Sequence, residues 1–224
     1  MLYPMPGPVK PKRRYASKRR LEQAAGTRAA VIAAARRLFV ETGWNATTIA
    51  AVARAAGVSS ETIYSVFTSK QGLLVAVIEA SIRRNQPESS LLDQPGPRAV
   101  AAATGHREQI ALFARDITEV LGGVAPLMAV VQAAAAADPA MASLYRGLHE
   151  GRRRNLGFVA TALLARGALK GGMNEADATL LLWRLASPEL FLLLTDIEGL
   201  NSAAYTEWLA STLQATLLGA GAES

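Results

Sequence analysis

The chain has 224 residues, half of them hydrophobic but only 6% aromatic, and a formal charge of +6 at pH 7. It has no cysteine, which excludes disulfides and thiol-bound metals and is compatible with a reducing cytoplasm, the expected location. Arg184, Pro188 and Glu189 break the greasiest stretch, near 180–194, so no run of 18 apolar residues occurs and no membrane partner is expected.

Alanine and leucine dominate and alternating β-branched runs are few, so the fold class is read as all-α. Charge divides the chain. Residues 1–85 carry 14 Lys and Arg against 4 Asp and Glu, whereas residues 86–224 carry 10 against 14. A basic first third suits a polyanion, and the length accommodates a small DNA-facing module plus one larger domain.

Residues 1–24 are expected to be a disordered basic arm. Prolines at 4, 6, 8 and 11 keep it extended, and Lys10, Lys12, Arg13, Arg14, Lys18, Arg19 and Arg20 make it cationic. Such an arm either adds phosphate and minor-groove contacts or is a solubilising tail. No long apolar run follows its charges, so it does not read as a secretion signal.

A first helix is predicted from Thr27, its cap, to Glu41, with Val31, Ala34, Ala35, Leu38 and Phe39 at helical spacing and Gly43 ending it. Residues 47–74 then read as a short helix, a tight turn and a second short helix. Thr47 is placed to cap the first by accepting from the N–H of Ala50, and Gly57 takes a positive φ in the turn. Ser59 caps the second, whose buried stripe is predicted as Ile63, Val66 and Phe67. Ser60, Glu61, Tyr64 and Ser65 are left on its other faces. This is the layout of a helix-turn-helix, whose second helix enters the major groove.

Ser69 caps a fourth helix running to about Arg84, and residues 86–98, rich in Pro, Ser and Gly, read as a connector. Helices are predicted over 105–121 and 125–136. Asp138-Pro139 starts a long one towards 168, ending near Gly171-Gly172. Asn174, Ser187 and Asn201 or Ser202 begin the last three, the final one reaching about Leu218. Nine or ten helices result.

Gly43-Trp44-x-x-Thr47-Thr48-Ile49, followed by Ala56-Gly57-Val58-Ser59-x-x-Thr62-Ile63-Tyr64-x-x-Phe67-x-Ser69-Lys70-x-x-Leu73-Leu74, strongly resembles the tetracycline-repressor (TetR) family. The likeness covers roughly residues 27–80. It implies a three-helix DNA-binding domain over 25–85, with the start of a linking fourth helix, and a helical ligand-binding and dimerisation domain over 86–224. It further implies a homodimeric transcriptional regulator, a repressor released from a palindromic double-stranded DNA operator by a small-molecule effector. An activator, or a ligand-independent DNA-binding protein of the same fold, is the alternative.

Carried onto this chain, Thr47, Thr62, Tyr64 and Lys70 fall where the family holds DNA. Tyr64 would offer its hydroxyl to a phosphate, and Lys70 would add its charge to a helix N-terminus. Arg28, Thr48, Ser59, Ser60, Glu61 and Ser65 complete the expected DNA-facing set. The chain departs from the pattern at Glu61, Ser65, Val66 and Gly72. Glu61 either accepts from a cytosine amino group or stabilises its helix N-terminus.

In the second domain Phe113, Asp116, Tyr145, Phe158 and Trp183 are the expected effector-pocket residues, with Arg115, Gln132 or Arg184 as further polar anchors. Arg152, Arg153 and Arg154 read as a solvated face. Leu181, Leu182, Leu185, Leu190, Leu193 and Leu194 are candidates for the dimer interface. His106 and His149 have no acidic or cysteine partners at metal-ligand spacing, and no nucleophile–base pair assembles, so no metal, cofactor or catalytic site is expected.

Overall fold

The computed structural model describes residues 13–84 and 90–219. Ten α-helices occupy them: α1 (Arg13–Ala46), α2 (Ile49–Ala56), α3 (Ser60–Phe67), α4 (Lys70–Ile82), α5 (Pro95–Ala102), α6 (His106–Ala135), α7 (Pro139–Leu164), α8 (Glu175–Leu185), α9 (Pro188–Leu192) and α10 (Ser202–Leu217). There is no strand among the described residues, in accord with the all-α reading.

Helix α1 begins well before the predicted Thr27, inside the stretch expected to be a disordered arm. The reason is where the prolines stop. Pro11 is the last of them, and beyond it the alanine-rich sequence holds no residue that denies the backbone a helical hydrogen bond. Thr27 is therefore mid-helix rather than a cap. The arm's first 12 residues, Lys10 and Lys12 included, lie outside the described residues. At the other end Gly43, at φ 77 and ψ 178, breaks the helix as predicted.

Most starts follow the caps read from sequence. Ser59, Ser69, Asn174, Ser187 and Asn201 each accept from the backbone N–H three residues on, and Asp138 accepts from Ala140 and Met141. Each such cap contributes about 1 kcal/mol. At α2 the cap is Thr48, accepting from Ala51 at 3.1 Å, and not Thr47.

Two expectations about the second domain fail. The supposed connector contains α5, started by Pro95 at its first turn. The helices predicted over 105–121 and 125–136 are one, α6, running through Gly122, Gly123 and Pro126. Packing on nearly every side overrides the proline: α6 touches α1, α4, α5, α7, α9 and α10. Averaged over 18 residues, α6 and the stretch Glu175–Ile197 reach a mean hydropathy of 1.5 and 1.3, so both are long and apolar enough to cross a membrane, contrary to the sequence reading. Half of the α6 window is buried inside this fold, which accounts for its hydropathy without a bilayer.

One continuous core joins the two halves. Phe39, Val52, Ile63, Leu73, Leu74 and Ile78 centre the three-helix head, and Leu121, Leu127, Leu163, Leu182 and Tyr205 centre the rest. Helices α1 and α4 both rest on α6, where Arg36 donates to the carbonyl of Gly123 at 3.1 Å. The head is thus seated directly on the central helix of the larger domain.

Candidate nucleic-acid interface and effector cavity

In the head, α2 and α3 are joined by a turn in which Gly57 sits at φ 68, ψ 33, the left-handed conformation that glycine adopts without a Cβ penalty. Its N–H and that of Val58 close onto the end of α2. Ile63 and Phe67 face inward, but Val66 does not. It is 45% exposed, so the buried stripe of α3 is narrower than predicted. Val66 instead lines a groove between α1 and α3, together with Thr27, Arg28 and Thr62.

Tyr64 is 53% exposed and shares the outer side of α3 with Ser60, Glu61 and Ser65. Ser65 donates to the carbonyl of Thr62 at 2.9 Å, and the hydroxyls of Ser59 and Thr62 lie 3.1 Å apart. Glu61 occupies the first turn of α3. Hydrogen bonds from its own backbone N–H and from Ser59 hold its carboxyl below the usual range. Both contacts stabilise the start of α3, one of the two roles read from sequence.

Two cations flank this surface on aromatic supports. Arg28 lies 4.7 Å above the Phe67 ring, and the Lys70 ammonium lies 4.2 Å above the Trp44 ring, itself stacked on Phe39 at 6.0 Å. Partial burial lowers the pKa of Lys70. Thr48 is exposed at the start of α2. Thr47 must be withdrawn from the DNA-facing set: it is 1% exposed, and its hydroxyl donates to the Gly43 carbonyl at 2.7 Å and lies 3.0 Å from that of Thr42. It ties the end of α1 to the start of α2.

The α3–α4 junction is tight. Thr68 has φ 65 and ψ −41, and Ser69 N–H bonds the Phe67 carbonyl at 2.7 Å, a γ-turn of the strained hand. A Cβ on Gly72 would come 2.2 Å from that same carbonyl oxygen. The departure from the family pattern at position 72 therefore has a steric cause.

The second domain holds a cavity of about 260 Å³ between α4, α5, α6 and α7. Its wall is mainly apolar. Phe113, Asp116 and Phe158 line it as predicted, whereas Tyr145 and Trp183 do not. Those two belong to a neighbouring cluster that sequence reasoning missed. Tyr145 donates to Glu189 at 2.6 Å, His149 Nε2 lies 3.1 Å from the same oxygen, and the Trp183 indole N–H donates to the His149 carbonyl at 3.2 Å. Arg152 is not part of a solvated face. It donates to the carbonyls of Ala186 and Trp183 at 3.1 and 2.7 Å and lies 5.1 Å from the Trp183 ring centre, while Arg153 and Arg154 are exposed. Burial pulls its pKa down to about 10 against the opposing pull of Glu189. Burial raises the Glu189 pKa, but the nearby His149 ring and the hydrogen bond from Tyr145 outweigh this and hold it at about 2. Tyr145, His149 and Arg152 fall at i, i+4 and i+7 on α7, the one signal that could have grouped them.

Of the further anchors, Arg115, Gln132 and Arg184 do not line the cavity. Of the leucines proposed for dimerisation, Leu182 and Leu194 are buried within this chain, Leu181, Leu185 and Leu190 are half-buried, and Leu193 is 48% exposed beside Ile197 at 76%.

Residues 31–77 match the model of the tetR family of bacterial regulatory proteins. Among curated proteins none is similar in sequence. Among solved structures, NalD, the secondary repressor of the MexAB-OprM multidrug efflux pump in Pseudomonas aeruginosa, is similar with a TM-score of 0.63 at 20% identity over 87% of this chain and 97% of that one. The fatty acid degradation regulator FadR from Bacillus halodurans gives 0.65 at 16% identity over 88% and 97%. SmeT in its complex with triclosan gives 0.64 at 14% identity over 88% and 94%. At these identities the shared property is the fold.

Proposed function

We propose that this chain, whose residues 31–77 match the tetR family, is a transcriptional regulator of that family, a cytoplasmic repressor released from a near-palindromic operator by a small molecule. One observation carries the reading. A solvent-facing helix bearing Ser60, Tyr64 and Ser65, flanked by Arg28 and Lys70, stands on a head whose α1 and α4 rest on the same helix that walls the cavity.

In this reading α3 enters the major groove, Tyr64 and Lys70 contact phosphates, and Ser60 and Ser65 meet base edges. The basic segment from Lys10 to Arg20 adds further phosphate contacts. Two copies associate through the apolar surface around Leu193 and Ile197, so the heads meet half-sites about one helical turn apart or a little more. The effector acts by preferring one head spacing, with a coupling of about 1–3 kcal/mol.

Genome-wide mapping of bound sites, followed by competition with unrelated DNA at fixed salt, tests this. The mapped sites should share a near-palindrome and outcompete unrelated DNA by orders of magnitude. Equal competition would reduce the protein to a general DNA coater and refute the proposal.

A further inference from the structure

Taking the cavity as the effector site, an assumption that rests on the function just proposed, we propose that its ligand is a hydrophobic monocation whose charge replaces the Arg84 guanidinium on Asp116 and so releases the end of α4.

Two charged side chains line the cavity, Asp116 and Arg152. Arg152 gives its two terminal nitrogens to the Ala186 and Trp183 carbonyls, lies over the Trp183 ring and has Glu189 as nearby counter-charge, leaving only its buried Nε without a partner. Asp116 is held by a partner that can leave. Arg84 donates to its Oδ1 at 2.6 Å and to its main-chain carbonyl at 2.7 Å, from a position just past the end of α4. The same guanidinium also reaches Glu119 at 3.3 Å, and Glu119 is 61% exposed. When a ligand cation takes Asp116, Arg84 retains Glu119 and water. The exchange strands no charge, which keeps its electrostatic cost low.

Gly96 of α5 leaves space for the carboxylate in its present position: a Cβ there would lie 1.8 Å from Asp116 Oδ1 and would push that side chain aside. Phe113, one turn before Asp116 on α6, and Phe158 add aromatic surface to a mainly apolar wall, which suits a hydrophobic cation.

Arg84 follows the C-cap of α4, and its φ of 48 is the left-handed conformation that commonly ends a helix. Its side chain turns from there to Asp116 and Glu119 on α6. Freeing the side chain removes the polar tie between this end of α4 and α6, and α4 leads straight into the DNA-reading head.

Octyltrimethylammonium, octanol and octanoate, titrated into the full chain and followed by calorimetry, separate the possibilities by charge at constant chain length. The ammonium should bind at least about tenfold more tightly than the other two. Asp116→Asn should abolish that preference, and Arg84→Met, which removes the competitor but keeps the carboxylate, should tighten ammonium binding severalfold. Circular dichroism checks that both variants are folded, and Arg84→Met alone decides if Asp116→Asn is not. Strongest binding by octanoate, or an unchanged ammonium affinity in Arg84→Met, overturns the proposal. These arms contain no DNA, so they stand even if the regulator reading fails. In a separate arm the ammonium should weaken binding of mapped DNA by the wild-type protein and not by Asp116→Asn.

Discussion

Replacing Lys70 by glutamine removes one charge from the proposed DNA surface and leaves a side chain of similar length. In the structure its ammonium is held 4.2 Å above Trp44 at the first residue of α4, next to the Ser69 cap, so little ordering remains to be done on binding. One phosphate contact changes the slope of log K against log salt by about 0.9. Between 50 and 200 mM salt that amounts to about 3.5-fold for this contact alone, and at 100 mM its loss should weaken binding by about eightfold, or roughly 1.2 kcal/mol. Fluorescence anisotropy on a mapped site across that salt range measures both quantities. Lys170→Gln is the control, since Lys170 donates to the Ala215 carbonyl far along the chain and should leave the slope unchanged. Lost cation–π contact should cost the fold only about 0.5–1 kcal/mol, so urea titration separates folding from binding. A Lys70→Gln slope equal to the wild-type slope would refute the placement of a phosphate at this helix start.

Gly72→Ala sets helix propensity, which favours alanine by up to about 1 kcal/mol, against a Cβ 2.2 Å from the Phe67 carbonyl. The obstacle is backbone, so we expect net destabilisation of about 1–3 kcal/mol in urea; a more stable variant would contradict the tight junction. Glu189 has a depressed folded-state pKa, so its stabilising contribution is present above its ordinary 4.5 and is lost as pH falls towards about 2. With the side chain 35% exposed the contribution is on the order of 1 kcal/mol. Glu189→Gln should remove that much at pH 7 and flatten the stability profile between pH 4.5 and 2, and an unchanged profile would show the cluster to be inert. Leu193→Glu combined with Ile197→Glu should give a folded monomer by sedimentation with DNA affinity reduced by at least tenfold, whereas a persisting dimer would move the interface elsewhere.

What could be read from the chain before its structure was known was mostly local chemistry. Ser59, Ser69, Asp138, Asn174, Ser187 and Asn201 bond to N–H groups two or three residues away, so residue type and spacing suffice to place them. The turn at Gly57 is local in the same sense. The adjacent threonines show the limit of such reading. Both Thr47 and Thr48 suit a cap, and the choice depends on Thr42 and Gly43 at the end of α1, which take the Thr47 hydroxyl. Pro126 misled for a related reason, because the hydrogen bond it removes is set against the packing of a whole helix, and that packing comes from elements distant in sequence.

The groups that matter to the cavity had no local signature. Arg84 and Asp116 are 32 residues apart and Tyr145 and Glu189 are 44 apart, so neither pair leaves a periodic mark. Phe113 and Phe158 were legible as aromatics on helices of the second domain, but the same logic selected Tyr145 and Trp183, which face Glu189 and His149 instead. The difference reflects the physics of the two sites. A DNA-reading head must present an ordered row of side chains from one short helix, so its function is written at intervals of three and four residues. A cavity is enclosed by helices from separate parts of the chain, and the Arg84–Asp116 ion pair becomes visible only when the end of α4 is brought against α6.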